Sequence, residues 1–465
     1  MYIANQLRDG DPTVFFSHEN QVHPPSLSIG GKLRLTSSKS KLLTCLDTNG
    51  QGEPPAHIDC KIFDGAALVH GLPTSSVSTF EDYARTVFKP ILDRELTGIK
   101  RLDLVWDRYL ACSIKESTRQ KRGSGLRRKV APTTKMPANW KDFLQDSTNK
   151  EELFAFLTQR VAELECPKEK ELYVTSGTSV IARGDCEPMA DCTHEEADTR
   201  ITVHLQHAVE RGSRKIVIRT VDTDVLVILI GQFPSLFIEH PDIDIWVAFG
   251  VGKNFCHYNI NNICKHLGDD KSRALPLFHA YTGCDTTSCF LGKGKKSAWR
   301  VWKSYPEVTQ AFLHFVDHPF QAVDVSSEHI SCLERFTVLM YDVTSNLVSV
   351  NEARRELFCK RKRNLENIPP TQDALLQHIK RVLYQSGIWT TCRQAQSAVP
   401  SPEGWGWTME DGHWAPVWLT IPEAAKACKE LIKCGCRAEA GCVSRCKCSK
   451  AGLPCTELCS CCCQK

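Results

Sequence analysis

No stretch of this 465-residue chain stays apolar long enough to cross a bilayer, although 42% of its residues are hydrophobic. Its start, MYIANQLRDGD, lacks the basic segment, apolar run and small-residue cleavage site of a secretory leader. The expected setting is therefore soluble and intracellular. An excess of one charge is lacking too: 58 Lys and Arg against 54 Asp and Glu leave a net +4, too little for composition alone to argue for a polyanionic partner. Sustained periodicity is missing from residues 1–55, which are polar and rich in Ser, Pro and Gly. They read as a flexible lead-in or the remnant of a longer chain, and carry no assigned chemistry. Cysteine is abundant instead, at 24 residues, and in a reducing compartment that points to metal ligation before disulfides.

What the chain does contain is a set of acids at the ends of apolar elements. Between His194 and Leu229, HEEADTRITVHLQHAVERGSRKIVIRTVDTDVLVIL opens with a helical period that puts Ile201, Leu205 and Ala208 on one face. Glu196 and Asp198 then fall in the first turn, where the helix dipole favours carboxylates. KIVIRT is β-branched and short, the pattern of a buried parallel strand, and it ends at Asp222 and Asp224. In open α/β sheets the ligand crevice lies beyond the carboxyl ends of the strands. Asp64 closes the strand-like IDCKIFD, Asp107 closes LDLVWD, and Asp285 follows the apolar ALPLFHAYTG in a tight GCD turn. Carboxylates gathered in one crevice repel one another unless cations lie between them. The alternative for Asp222 or Asp224 is that it merely caps the following helix.

The order IFD, VWD, EEAD, DTD, GCD resembles the flap endonuclease and 5′ nuclease group of PIN-like nucleases over residues 56–305. The resemblance implies an α/β fold with a parallel twisted sheet and helices on both faces. It implies one metal held by Asp64, Asp107, Glu196 and Asp198, and a second held by Asp222, Asp224 and Asp285. Oxygen ligands favour Mg2+ or Mn2+, and paired ions serve in-line phosphodiester hydrolysis. A basic cap is implied over 108–166, which contains SIKESTRQKRGSGLRRKV, where Lys115, Arg119, Lys121, Arg122, Arg127, Arg128 and Lys129 face a single acid. A helix-two-turn-helix is implied over 283–305, where FLGKGKKSAWRVW supplies Lys293, Lys295 and Lys296. Such residues bind phosphate without reading sequence. A solvated loop or a nuclear import signal is the other reading of the first run.

Elsewhere the patterns are structural. ELYVTSGTSVIARG reads as a strand or hairpin, FEDYARTVFKPILDREL as a crossover helix, DIDIWVAFG as a strand, and HYNINNICKHLGDDKSRALPLFHAYTGCD as two short helices. His257, His266 and His279 on those helices read as packed or capping side chains rather than ligands. Residues 306–427 are helical and then Trp-rich, with Trp405, Trp407, Trp414 and Trp418 forming an aromatic plug. The run Arg354, Arg355, Lys360, Arg361, Lys362, Arg363 reads as a solvated face, with an extension of a duplex-binding track as the alternative.

Residues 428–465 are of another class. From Cys434 the cysteines recur as C-x-C-x5-C-x3-C-x-C-x6-C-x3-C-x-C, followed by Cys462 and Cys463. So short and apolar-poor a segment cannot build a core, and bound metal must supply its folding energy. Thiolates at this density select zinc. The spacing resembles the tesmin-type CXC domain, which implies a zinc cluster on Cys434, Cys436, Cys442, Cys446, Cys448, Cys455, Cys459, Cys461 and Cys463. It also implies a DNA-contacting loop with Arg437, Arg445, Lys447 and Lys450. The run of three cysteines near the end departs from that family's C-x-C-x2-C, which leaves the last ligand open. Together these readings describe a structure-selective, metal-dependent nuclease with a zinc-dependent DNA-binding tail, acting on DNA or RNA in the nucleus. The alternative is a catalytically inactive nuclease-fold scaffold, a decayed mobile-element copy, that binds DNA or chromatin through its CXC tail.

Overall fold

The computed structural model describes residues 7–36, 38–46, 52–116, 125–359, 364–396, 398–436, 442 and 446–461. A short hairpin, β1 (Ser28–Ile29) and β2 (Lys32–Leu33), precedes the main sheet. That sheet has β3 (Cys60–Asp64), β4 (Arg101–Val105), β5 (Glu171–Ser176), β6 (Ser179–Gly184), β7 (Lys215–Thr220), β8 (Asp244–Phe249) and β9 (Cys256–Asn259), in the order β6-β5-β4-β3-β7-β8-β9. The inner strands are parallel and the two edges antiparallel. The sheet is thus mixed rather than parallel throughout. His257, Tyr258 and Asn259, expected to open a helix, lie in β9 and pair with β8 first, and Asn259 then caps the helix Ile260–Leu267.

Side chains alternate across the sheet, and each face has its own helical layer. Cys60, Ile62, Ile216, Ile218, Ile245 and Val247 join a core shared with the helices Ala197–Glu210, Thr223–Glu239 and Asp269–Tyr281. Phe63, Leu102, Leu104, Leu172 and Val174 join a second core with Lys89–Thr97 and Ser147–Ala162. The last of these helices lies in the segment expected to arch over the crevice as a cap. It buries Leu153, Phe154, Leu157 and Val161, and Trp106 stacks on Phe154 at 4.4 Å. It is therefore a layer of the fold, because its apolar face has a sheet to cover.

Under the Ala197–Glu210 helix the β4 side chains that alternate with Leu102 and Leu104 are charged. Arg101 donates to both Asp103 oxygens at 2.7 Å, His204 Nδ1 lies 2.7 Å from Asp103 Oδ2, and Arg101 sits 4.2 Å from the centre of the Tyr173 ring. Burial alone would raise Asp103, but Arg101 holds it below its ordinary value. This is a structural network, away from the strand ends where the acids gather.

Residues 7–36 and 38–46, expected as a loose lead-in, pack against the rest of the chain. Leu27, Leu42 and Leu46 are buried in the first core, Glu19 pairs with Arg354 at 3.2 Å, and Arg8 donates to the carbonyls of Pro454 and Ile432 and to Cys448 Sγ. Arg354, read as part of a solvated face, is only 2% exposed, while Lys360, Arg361, Lys362 and Arg363 lie outside the described residues. Trp407 and Trp418 are buried at the foot of a hairpin formed by Trp407–Glu410 and His413–Pro416. Among the described residues no helix is long and apolar enough to cross a membrane.

Candidate metal centres

The carboxyl ends of β3, β4 and β7 bring the acids together through local capping geometry. Asp64 ends β3 and caps the helix Gly65–Gly71, accepting from Ala67 N–H at 3.0 Å and from the Thr220 hydroxyl at 2.9 Å. Asp107, two residues past β4, accepts Ala197 N–H at 2.9 Å, at the start of the helix that carries Asp198. Glu196 is the residue just before that helix. Asp222 caps the Thr223–Glu239 helix by accepting Asp224 N–H at 2.9 Å, so it is a cap and a cluster member at once. Asp285 is delivered by the turn at Gly283, whose φ of +102° favours glycine and whose missing Cβ would meet Cys289 N at 2.8 Å. A carboxylate oxygen from each of Asp198, Asp222 and Asp224 lies within 4.8 Å of the other two.

Two lysines stand among these acids. Lys39 Nζ is 2.9 Å from Asp224, 2.9 Å from Asp285 and 3.6 Å from Asp222. Lys115 pairs with Glu196. Burial opposes the charge of both ammonium groups, yet Asp224 for Lys39 and Glu196 for Lys115 hold them above the ordinary lysine value. His279 Nε2–H donates to the other oxygen of Asp224 at 2.9 Å; burial and then Lys295 push this imidazole down to about 4, so it stays neutral. Asp224 is buried, but Lys39 and His279 hold it well below the carboxylate range, and Lys39 does the same more mildly for Asp285.

The remaining acids show the strain of crowding. Burial and then the charge of Asp107 push Asp64 up to about 7, with Asp222 adding to the shift. Burial outweighs Lys115 and carries Glu196 up to about 7 as well. Asp198 is raised further by burial, Asp222 and Glu196, and Asp222 is raised by burial and Asp224. Asp64 feels Asp222 and Asp222 feels Asp285, so the acids of both expected sets share one field rather than opposite faces of the sheet. A raised folded-state pKa gives stability that is complete below the unfolded value, about 4, and is lost as pH rises through about 7. Buried bases such as His279, held down at about 4, act in the opposite sense over the same range, so the share of the acids is read as a difference: Mn2+ is expected to raise the melting temperature more at about pH 8, where these acids are ionised, than at about pH 5. A calorimetric melt series with and without Mn2+ checks this, and a Mn2+ shift no larger at the higher pH would contradict it.

The basic residues divide differently from expectation. Lys115, expected to bind nucleic acid from the cap, points into the acids. Lys295, expected on a DNA-facing hairpin, is 1% exposed and donates to Thr282 Oγ1 at 2.9 Å and Gly283 O at 2.6 Å, closing the end of the Asp269–Tyr281 helix. Arg127 pairs with Glu152, and Arg128 donates to Lys135 O. Lys129 and Lys296 are exposed and Lys293 is partly so; Arg119, Lys121 and Arg122 lie outside the described residues. Beside Glu196 and Lys115 opens a cavity of about 350 Å³ walled by Leu110, His194, Gln385, Ile388 and Trp414.

Lys39 and His279 are the contacts that sequence reasoning missed. Lys39 sits in a segment without periodicity, and nothing local marks it. His279 is a packed helix histidine, as read, and it is also the partner of Asp224.

The tail gathers its thiols. Cys434, Cys446, Cys448, Cys455, Cys459 and Cys461 are buried against one another, with Cys436 and Cys442 beside them. They form three overlapping four-thiol groups: Cys434, Cys448, Cys455, Cys459; Cys434, Cys436, Cys442, Cys446; and Cys434, Cys442, Cys455, Cys461. Sulfur separations of 3.5 Å for Cys434 to Cys442, 3.6 Å for Cys448 to Cys459 and 3.9 Å for Cys434 to Cys455 are far longer than a disulfide. They approximate the edge of a tetrahedral four-sulfur site, about 3.8 Å for metal–sulfur bonds near 2.3 Å. Cys463, Arg437 and Arg445 lie outside the described residues.

No family model matches the sequence, and no curated protein matches it. Among solved structures the chain is similar to the T5 D15 protein co-crystallised with metal ions, at 11% identity and a TM-score of 0.33, over 71% of this chain and 98% of that one. It is similar also to the catalytic core of Rad2 in complex with DNA substrate, at 14% identity and a TM-score of 0.33, over 70% of this chain and 88% of that one. A second complex of that core gives 13% identity and a TM-score of 0.32, over 68% and 84% of the two chains.

Proposed function

We propose that this chain is a divalent-metal-dependent nuclease of PIN-like, flap endonuclease type, with a zinc-dependent DNA-binding tail that keeps it on nuclear DNA. The observation that carries the reading is the meeting of Asp198, Asp222 and Asp224 within 4.8 Å, with Asp64, Asp107, Glu196 and Asp285 in the same field. The donor set fits a hard cation: it is all oxygen, and its crowded negative charge already pairs with two lysine ammonium groups. Asp198, Asp222 and Asp224 would hold an ion, with Asp64, Asp107, Glu196 and Asp285 around it. A bound Mg2+ or Mn2+ supplies a water of lowered pKa and charge stabilisation at the phosphoryl oxygens.

The chain's own groups supply position. The Thr220 hydroxyl orients Asp64, the helix cap orients Asp222, and His279 orients Asp224 from behind. Exposed Lys129 and Lys296 offer phosphate contacts that would be blind to sequence.

One observation favours a second reading. With Lys39 and Lys115 among the acids, the centre is partly neutralised by its own side chains, as in an inactive nuclease-fold scaffold that binds DNA or chromatin through the cysteine tail. The readings separate when purified full-length protein is mixed with end-labelled DNA bearing a 5′ flap or a single-stranded end, in Mg2+ or Mn2+. The nuclease reading predicts cleavage that chelation stops. Binding without cleavage in either metal would establish the scaffold instead.

A further inference from the structure

Resting on the metal-centre reading, we infer that Lys39 is a resident cation: its ammonium stands among Asp222, Asp224 and Asp285, where a second divalent ion would have to bind. The chain accordingly takes up one hard divalent ion, on the Asp198 side, rather than two.

The geometry is that of a filled cation position. An ammonium carries three N–H donors around one point charge, and Lys39 Nζ meets three carboxylates at 2.9, 2.9 and 3.6 Å. Lys39 has no ion pair with Asp198 among the described residues, so Asp198, Asp222 and Asp224 still present oxygens to a common point beside it. The other lysine of the centre, Lys115, pairs with Glu196 and has no ion pair with Asp198, Asp222 or Asp224 among the described residues.

Lys39 is also built in. It opens the single 3-10 turn Lys39–Leu42, and Leu42, Leu43 and Leu46 just after it are 0%, 6% and 2% exposed in the main core. The strand hairpin before it is sewn to the loop that follows Asp285: Cys289 N–H donates to Arg34 O at 2.7 Å, and Leu291 N–H donates to Ser26 O at 2.8 Å. Lys39 and Asp285 therefore belong to one packed block. An incoming ion that expelled the ammonium would strand a charge only 17% exposed, and an unpaired buried charge is costly. A divalent ion on the Asp198 side would share Asp222 and Asp224 with the ammonium but leave it in place against Asp285.

The test counts ions. Mn2+, which prefers oxygen to thiolate ligands, is titrated into full-length zinc-loaded protein and bound Mn2+ is followed by electron paramagnetic resonance. Lys39→Met keeps the stem and removes the charge; Lys39→Arg keeps the charge. The expected result is one Mn2+ at saturation for wild type and Lys39→Arg, and two for Lys39→Met, with a spin-coupled signal from the adjacent pair. Two ions in wild type, or one in Lys39→Met, would overturn the inference and leave the nuclease reading standing. No Mn2+ in any of the three would overturn both. Should Lys39→Met fold poorly without metal, melting points with and without Mn2+ decide: recovery to the wild-type value supports a replaced cation, and no recovery refutes it.

Discussion

Asp198→Asn is expected to abolish metal-dependent cleavage without lowering the melting temperature of the chelated protein, whereas Asp224→Ala is expected to lose both activity and stability. The difference comes from what each carboxylate touches. Asp198 is pushed well above its ordinary value by burial and by Asp222 and Glu196, so a neutral side chain relieves repulsion there. Asp224 is 1% exposed and holds Lys39 with one oxygen and His279 with the other. Its removal breaks a buried ion pair from one side, at about 3 kcal/mol or more. Partners one shell out from a metal already change affinity or activity by about 10- to 100-fold, so losing a ligand should cost more than about a hundredfold in rate. Cleavage rates in Mn2+ beside melting curves in chelator read both quantities. Cleavage by Asp198→Asn at the wild-type rate would remove that residue from the centre.

Cys434→Ser is expected to empty and unfold the tail, while Cys436→Ser removes only part of its metal. Cys434 belongs to all three four-thiol groups and Cys436 to one. The tail has almost no apolar residues besides its cysteines to pack, so its folding energy must come from metal, about 10–16 kcal/mol for a structural zinc ion in small domains. Arg8 ties the N-terminal segment to Cys448 and to Pro454 O, so an emptied tail should also release that end of the chain. The acidic centre uses other ligands and should keep its Mn2+ dependence. Native mass spectrometry of the zinc content of both variants, with proteolysis at the two termini, is the check. Equal zinc loss from the two substitutions, or disulfides in protein prepared under reducing conditions, would contradict a shared cluster.

The parts legible in the sequence are those written by short-range rules. β3, β4, β7 and β8 follow from alternation and β-branching, and Asp64, Glu196, Asp198, Asp222 and Asp224 sit where strand ends and helix starts place them. The misreadings are of residues whose partners are remote. Lys39 reaches Asp224 across 185 positions, through leucines in a segment with no period. Lys295 looked like a surface cation because GKGKK is basic; the carbonyls it closes lie at a helix end 12 to 16 residues earlier. Arg354 looked solvated until Glu19, 335 positions away, supplied its partner. The resemblance places the Ser147–Ala162 helix in a cap, whereas its apolar residues have the outer face of β4 and β5 to cover.

The central claim is that a divalent cation belongs among Asp198, Asp222 and Asp224. A crystal of the full-length protein soaked in Mn2+ and measured near the manganese absorption edge tests it most directly. The account predicts an anomalous peak between those three carboxylates, with Lys39 still against Asp285. A map with no peak there, in a crystal whose cysteine tail shows its own metal, would contradict it.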